Sequence, residues 1–176
     1  MSGHNKWAQI KHKKGTTDKK RGVLFTKLLR AISVAAKTEP NPDFNPRLRT
    51  AVETAKQNNV PNENIERAIS KASEEKDLKE IIIEAYGPEK TAIIIECLTD
   101  NSNRTTNELR NILSDAGAKM GEMGSAKWAF DNPTSGAWTP KYTQNLSDEG
   151  KAKLAEIIET LEDYEDIQKI FTNAKN

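Results

Sequence analysis

The residues whose chemistry is most distinctive stand at the start of the chain, and nearly all of them are cations. Each lysine or arginine can neutralise one phosphate of a nucleic acid and release its counterions, and one early tryptophan offers a face on which a base could stack. The predicted nucleic-acid ligands in this segment are Lys6, Trp7, Lys11, His12, Lys13, Lys14, Lys19, Lys20, Arg21, Lys27 and Arg30. The alternatives are a solvated charged surface for the lysines and a packing role for Trp7.

The charge of the whole chain hides how unevenly it is distributed. Residues 1–40, which also include Lys37, hold ten Lys/Arg against two acids, a net charge of +8. The remaining residues carry 17 bases and 24 acids, a net charge of −7, so the total is only +1. This segregation predicts an end that binds a polyanion, followed by an acidic remainder.

Catalysis finds little support in the residue types. The only histidines, His4 and His12, lie in the basic opening, and Cys97 is the only cysteine. A serine or cysteine hydrolase needs a nucleophile beside a histidine base, and the sequence contains neither a Gly-x-Ser-x-Gly motif nor a phosphate-binding Gly-x-x-x-x-Gly-Lys loop. We therefore predict that the protein is not an enzyme, binds no cofactor or metal, and buries Cys97 as an inert thiol.

The composition is typical of a globular protein. Of the 176 residues, 35% are hydrophobic and 30% are charged. No apolar run approaches the ~20 residues that span a bilayer, and the opening lacks the apolar core of a signal peptide. The sequence predicts a cytoplasmic protein with a nucleic-acid partner and with no membrane or small-molecule partner.

Three helices are predicted to position the basic segment. An apolar stripe indicates a helix over roughly residues 18–37, with Lys20, Lys27 and Arg30 off that stripe and therefore in solvent; the stripe consists of Leu24, Leu28, Ala31, Ile32 and Ala35. A second helix begins with Asn45 as its cap, and a third begins at Pro61. We predict a domain over residues 1–75 made of a basic tail and a helical bundle.

The second half of the chain changes to strand periodicity, so we predict an α+β sandwich domain over residues 79–176. Runs of β-branched residues at 81–86 and 91–98 predict a hairpin. Thr105 has the spacing of a helix cap, and Ser147 caps a last helix. Further strands are predicted at 126–130, 138–146 and 167–172. The order ββαββαβ, with two helices on one face, is related to ferredoxin-like arrangements.

One loop of this domain is dense in hydrogen-bonding side chains. Residues 99–105 join a strand to a helix, and a turn with a helix cap explains Asp100, Asn101 and Thr105. It does not explain Arg104. A surface for RNA or protein therefore remains an equal alternative at Arg104.

Motifs along nearly the whole chain resemble the YebC/PmpR family, which includes the mitochondrial translational activator of cytochrome c oxidase. The motifs are Ser2-Gly-His-Asn-Lys-Trp-Ala-Gln-Ile-Lys-His-Lys-Lys14, Asn45-Pro-Arg-Leu-Arg49, Ala85-Tyr-Gly-Pro88, Glu96-Cys-Leu-Thr-Asp-Asn101 and Gly121-Glu-Met-Gly-Ser125. Arg47 and Arg49, in the second motif, complete the predicted nucleic-acid ligands.

The resemblance implies a DNA-binding transcriptional regulator. Its alternative is a ribosome-associated translation factor that contacts ribosomal RNA and relieves stalling on proline-rich products. The resemblance also implies an inserted third domain between Phe130 and Trp138, where this chain has only a short turn. A Gly-Gly pair is common in the family where Glu89-Lys90 stand here.

Overall fold

A computed structural model describes residues 18–74, 77–133 and 136–175. These residues fall into two compact units, the first ending at Lys79 and the second beginning at Glu80. The first unit contains three helices: α1 (Asp18–Ala36), α2 (Pro46–Gln57) and α3 (Asn62–Ser70). The predicted three-helix arrangement is confirmed, with each helix beginning within a residue or two of its predicted start.

The core of the helical unit includes Ile32, Leu48, Ala55 and Ile65, all of them buried. On α1 the partly buried contributors are Phe25, Leu28 and Leu29, while the predicted Leu24 and Ala31 are not part of this cluster. That part of the predicted stripe was wrong. Apolar residues cover a wide arc of α1, and the packing of α2 and α3 selects which of them face the core.

Asn45 joins the end of α1 to the beginning of α2. Its side-chain oxygen accepts a hydrogen bond from the Leu48 amide at 3.0 Å, as predicted for a helix cap. Its side-chain nitrogen donates to the carbonyls of Ala35 and Glu39 at 2.8 and 2.7 Å. One buried amide therefore satisfies three backbone groups from both ends of the connection.

The second unit is α+β, which confirms the predicted fold class. Its elements are β1 (Lys79–Tyr86), β2 (Ala92–Thr99), α4 (Ser102–Asp115), β3 (Lys119–Met120), β4 (Phe130–Asp131), β5 (Thr139–Pro140), α5 (Asp148–Glu162) and β6 (Ile167–Thr172). An antiparallel sheet has the strand order β3-β1-β2-β6, and β4 pairs with β5 in a separate two-stranded sheet. The register places Ile93 opposite Thr172 and Ala85 opposite Met120.

Strand β2 is buried on both faces, which explains its nearly continuous apolar sequence. Ile93, Ile95 and Cys97 belong to the cluster that includes the apolar stripes of α4 and α5. Ala92 and Ile94 belong to a second cluster. That cluster also contains Ala126, Ala129, Phe130 and Trp138. The prediction that Cys97 is buried is confirmed.

The predicted strands at 126–130 and 138–146 were wrong. Residues 127–129 form a 3₁₀ turn because the buried carboxylate of Glu84 accepts hydrogen bonds from amides that a strand would need. Beyond Pro140, the Lys141 and Tyr142 amides both donate to the Ala129 carbonyl, at 2.8 and 3.2 Å, and the pairing with β4 ends there. Of the first predicted strand only Phe130 is in a strand, β4, and the second keeps Thr139 and Pro140 in β5 and an isolated bridge between Gln144 and Ala174.

The predicted cap of α4 was also wrong by one turn. The helix begins at Ser102, and the side chain of Asn101 caps it by accepting from the Arg104 amide at 3.1 Å. Thr105 lies within the first turns and is fully buried. Asn101 and Thr105 can both cap a helix. The Thr105 hydroxyl is instead bonded to buried Asp166, and Asn101 forms the cap.

The hairpin between β1 and β2 shows why glycine suits its tip. Glu89 and Lys90 have φ of 52° and 65°, in the left-handed region that non-glycine residues rarely occupy. The Glu89 carboxylate accepts hydrogen bonds from the amide and the hydroxyl of Ser147, at the beginning of α5. These bonds offset part of the backbone strain.

Candidate nucleic-acid interface

A basic groove lies between α1 and α3 in the helical unit. Its volume is about 440 Å³. The residues that line it are Thr26, Leu29, Arg30 and Ser33 from α1, with Asn64, Arg67, Ala68 and Lys71 from α3 and its end. We call this feature the α1–α3 groove. Three of its lining residues are cations, and none of the described residues that line it is acidic.

Helical periodicity brings these side chains together. On α1 they stand at positions i, i+3, i+4 and i+7, and on α3 they do the same, so each helix presents one stripe. The two helices approach closely enough for the Ser33 hydroxyl to donate to the Ala68 carbonyl at 3.4 Å. The cations therefore stand along two facing stripes with apolar Leu29 and Ala68 between them.

Arg67 is oriented by an ion pair with Glu63 one turn earlier, at 2.6 Å. Both side chains are more than half exposed, at 56% and 80%. An exposed pair of this kind contributes little to stability and is screened by salt. Glu63 therefore holds the Arg67 guanidinium only weakly.

Six of the ligands predicted from sequence, Lys6, Trp7, Lys11, His12, Lys13 and Lys14, lie outside the described residues. Of the others, Lys19 and Arg21 are exposed on α1, and Arg47 and Arg49 are exposed on α2. Lys20, Lys27 and Arg30 are half-buried, so the prediction that they stand in open solvent was wrong. Because apolar residues cover a wide arc of α1, few positions on this helix are fully exposed, and these three cations are partly covered by their neighbours.

Sequence reasoning missed Arg67 and Lys71. They are four residues apart on α3, a spacing that places both on one side of a helix. That spacing was a usable signal. What the sequence could not show is that this side faces Arg30 across a groove.

Arg104, the one predicted ligand in the second unit, is held by two carboxylates. Its guanidinium lies 3.0 Å from both Asp100 and Asp166. The hydrogen bond to Asp166, with help from Asp100, raises the pKa of Arg104 above its usual value. Two negative partners leave this site with no excess positive charge, which favours a structural role. Nucleic-acid binding by Arg104 stays a prediction.

The Asp166 carboxylate also belongs to a wider cluster of hydrogen-bonded polar side chains. Buried Asp166 also accepts from the Thr105 hydroxyl at 2.6 Å, and that hydroxyl lies 2.7 Å from the Thr99 hydroxyl. The Tyr164 hydroxyl hydrogen-bonds to Glu108. Burial, followed by this bond, raises the pKa of the Tyr164 phenol. The cluster ties β2, α4 and the beginning of β6 together.

Within residues 18–74, 77–133 and 136–175, no three His, Cys, Asp or Glu side chains are grouped as metal ligands. None of the helices in these ranges is long and apolar enough to cross a membrane.

Comparison with known proteins identifies the family. Residues 5–75 match the model of the TACO1/YebC protein N-terminal domain, and residues 78–135 match the TACO1/YebC second and third domain. The chain belongs to the TACO1/YebC family. The second match ends at residue 135, between β4 and β5 in the chain.

Individual relatives agree with this assignment. The chain is 52% identical over 135 residues to a probable transcriptional regulatory protein of Geobacter sulfurreducens. It is 53% identical over 135 residues to one of Thermoanaerobacter pseudethanolicus. Each match covers 74% of this chain and 55% of the relative, so the chain spans about half the length of these curated relatives.

A solved structure is similar along nearly the whole chain. The crystal structure of a conserved hypothetical protein from Aquifex aeolicus superposes with a TM-score of 0.83 at 32% identity. The match covers 96% of both chains. The likeness supports the α+β class and the family.

Proposed function

We propose that this protein is a DNA-binding transcriptional regulator that grips the phosphate backbone with its helical unit. The observation that carries the proposal is the α1–α3 groove, with Arg30, Arg67 and Lys71 facing one space and no acid among its described lining residues. The names of the relatives, probable transcriptional regulatory proteins, support a regulatory role. A nucleic-acid partner of this kind also favours a cytoplasmic site of action.

The chemistry of the groove suits phosphate. A guanidinium can bind two phosphate oxygens at once, whereas the lysine ammonium acts as a compact point charge. Apolar Leu29 and Ala68 lower the local dielectric constant, which strengthens the attraction between cation and phosphate. The exposed cations of α1 and α2 and the predicted lysines of residues 6–14 would extend the same contact along the backbone.

Phosphate binding has a measurable signature in its dependence on salt. For B-DNA, the logarithm of the binding constant falls by about 0.9 per tenfold rise in salt for every phosphate neutralised. The double variant R67A/K71A should therefore weaken binding to a duplex of roughly 20 base pairs. We expect it to reduce the salt slope by about 2 between roughly 50 and 200 mM salt, measured by fluorescence anisotropy.

A matched control removes the same charge elsewhere. Arg110 and Lys151 are exposed cations on α4 and α5 of the second unit, and R110A/K151A lowers the net charge by the same amount. This control should leave the slope unchanged. Binding that does not weaken with salt, or equal effects of the two double variants, would contradict the proposal.

The alternative target is ribosomal RNA. Cations that bind a phosphate backbone would serve on RNA as well as on DNA, because the phosphates are chemically the same. Sedimentation of a cell lysate on a sucrose gradient separates the two functions. Co-migration with ribosomal particles that is lost at high salt would favour a translation factor, and absence from those particles would exclude it.

A further inference from the structure

Two aromatic side chains of the second unit are exposed side by side. Trp128 keeps 58% of its surface exposed, and Tyr142 keeps 54%. Their ring centroids are 5.6 Å apart, and the ring planes are inclined by 41°. Rings of this size usually bury most of their surface, so a pair left in solvent marks an interaction surface. We call the pair the stacking platform.

The tryptophan side of the platform is held firmly. The Trp128 indole nitrogen donates to the Tyr86 hydroxyl at 3.3 Å, and that hydroxyl in turn donates to the Ser125 carbonyl. The preceding Lys127 amide donates to buried Glu84 at 2.9 Å. Both the ring and the backbone that carries it are therefore positioned by the sheet.

The tyrosine side is anchored through its backbone. The Tyr142 amide donates to the Ala129 carbonyl at 3.2 Å, and the Asn173 side chain donates to the Tyr142 carbonyl at 2.9 Å. These bonds fix the segment next to Trp128 without using the ring. A surface arranged in advance loses little conformational entropy when a ligand binds.

A cation accompanies the rings. The Lys141 ammonium lies 5.7 Å from the centroid of the Tyr142 ring, within range of a cation–π interaction, and Lys141 is exposed. Lysine is depleted in the cores of protein–protein interfaces. Aromatic rings beside a lysine are instead the combination that binds single-stranded nucleic acid, since bases stack on the rings and the cation meets the phosphate.

We infer that Trp128 and Tyr142 form a stacking platform for the unpaired bases of single-stranded nucleic acid, with Lys141 as its phosphate ligand. This inference rests on the proposed function and extends it from phosphate binding in the helical unit to base contact in the second unit. Bases in a duplex are stacked on one another, so the platform distinguishes single strands from duplexes.

The test compares single-stranded probes across ring variants. Labelled oligothymidylate and oligouridylate, each roughly 12 nucleotides long, are titrated with the full chain, and affinity is read by anisotropy. We expect W128A and Y142A each to weaken binding about tenfold or more. W128F keeps an aromatic face and should bind nearly as well as the wild type. Phe44→Ala, which removes an aromatic side chain that is 77% exposed in the first unit, should have no effect.

The duplex probe separates this inference from the proposed function. W128A should bind duplex DNA as the wild type does, with the same salt slope, because the phosphate ligands are untouched. The inference is overturned if the wild type does not bind the single strands. It is also overturned if W128A and Y142A behave like F44A, or if W128F binds as poorly as W128A. Loss of salt-dependent duplex binding by the wild type would instead count against the proposed function.

Discussion

The buried carboxylate of Glu84 should be sensitive even to a nearly isosteric substitution. Glu84 is 3% exposed, and its oxygens accept hydrogen bonds from the amides of Gly124, Ala126 and Lys127 at 2.6, 2.7 and 2.9 Å. One glutamate on β1 therefore holds residues 124–127, which lead directly into Trp128 of the stacking platform. We predict that Glu84→Gln, which is nearly isosteric, destabilises this unit and loosens that segment.

The expected magnitude follows from these bonds. The carboxylate has two accepting oxygens, one bonded to Gly124 and the other to Ala126 and Lys127. A glutamine replaces one oxygen with an NH₂ donor, so at least one backbone N–H loses its acceptor, at a cost of about 1–3 kcal/mol. The remaining bonds become neutral and weaker, whereas the desolvation penalty of the charge disappears. We expect the free energy of unfolding to fall by about 3 kcal/mol at neutral pH.

Amide hydrogen exchange measures this loss residue by residue. The slowest amides of β2 should exchange about a hundredfold faster in E84Q, because each 1.4 kcal/mol corresponds to a factor of ten. Glu122→Gln is the matched control, since Glu122 is exposed in the same segment. It should change the free energy of unfolding by less than about 0.5 kcal/mol.

The effect should also depend on pH. Burial by itself raises the pKa of Glu84, but the hydrogen bonds from Gly124, Ala126 and Lys127 and the Lys127 ammonium outweigh it and hold the pKa below 4.5, its usual value. Ionised Glu84 therefore contributes stability that is present above pH 4.5 and is lost as the pH falls through the folded-state pKa. The difference between wild type and E84Q should shrink in that acid range. Equal exchange rates in wild type and E84Q at neutral pH would refute this reasoning.

Two further predictions concern other buried polar groups. Asn45→Ala removes the acceptor for the Leu48 amide and the donor for two carbonyls, so it should destabilise the helical unit by roughly 2–4 kcal/mol in urea unfolding, whereas exposed Asn62→Ala should not. Burial and the bond to Glu108 raise the pKa of Tyr164, so its contribution to stability is present below pH 10 and is lost as the pH rises through the higher folded-state pKa. An ultraviolet titration should show a tyrosine ionisation above pH 10, and Y164F should remove it.

Local chemistry accounts for the elements that were predicted well. The Asn45 and Ser147 caps bond to amides three residues later, and the structure keeps both bonds. Strand β6 was predicted with its observed bounds because its residues are rich in apolar side chains and lie between clear breaks. Interactions of this kind involve neighbours in the chain, so the sequence displays both partners.

The failures involve partners that are distant in sequence. The segment at 126–130 has the composition of a strand. Its first two amides, however, donate to Glu84, which lies about forty residues earlier in the chain. Thr105 has capping chemistry, but buried Asp166 accepts from its hydroxyl. In each case a buried charge outweighed a local preference, because leaving such a charge without its hydrogen bonds is costly.

For the candidate nucleic-acid interface too, some features follow from the sequence and others only from the tertiary structure. The sequence alone determined the segregation of charge, the three helices and the family, because composition, periodicity and motifs are properties of the chain itself. Only the tertiary structure decided that Arg67 and Lys71 share a groove with Arg30, that two acids hold Arg104, and that Trp128 and Tyr142 stay exposed. Which side chains face each other depends on packing between elements far apart in the chain, and hydrophobic burial selects that packing from the whole molecule.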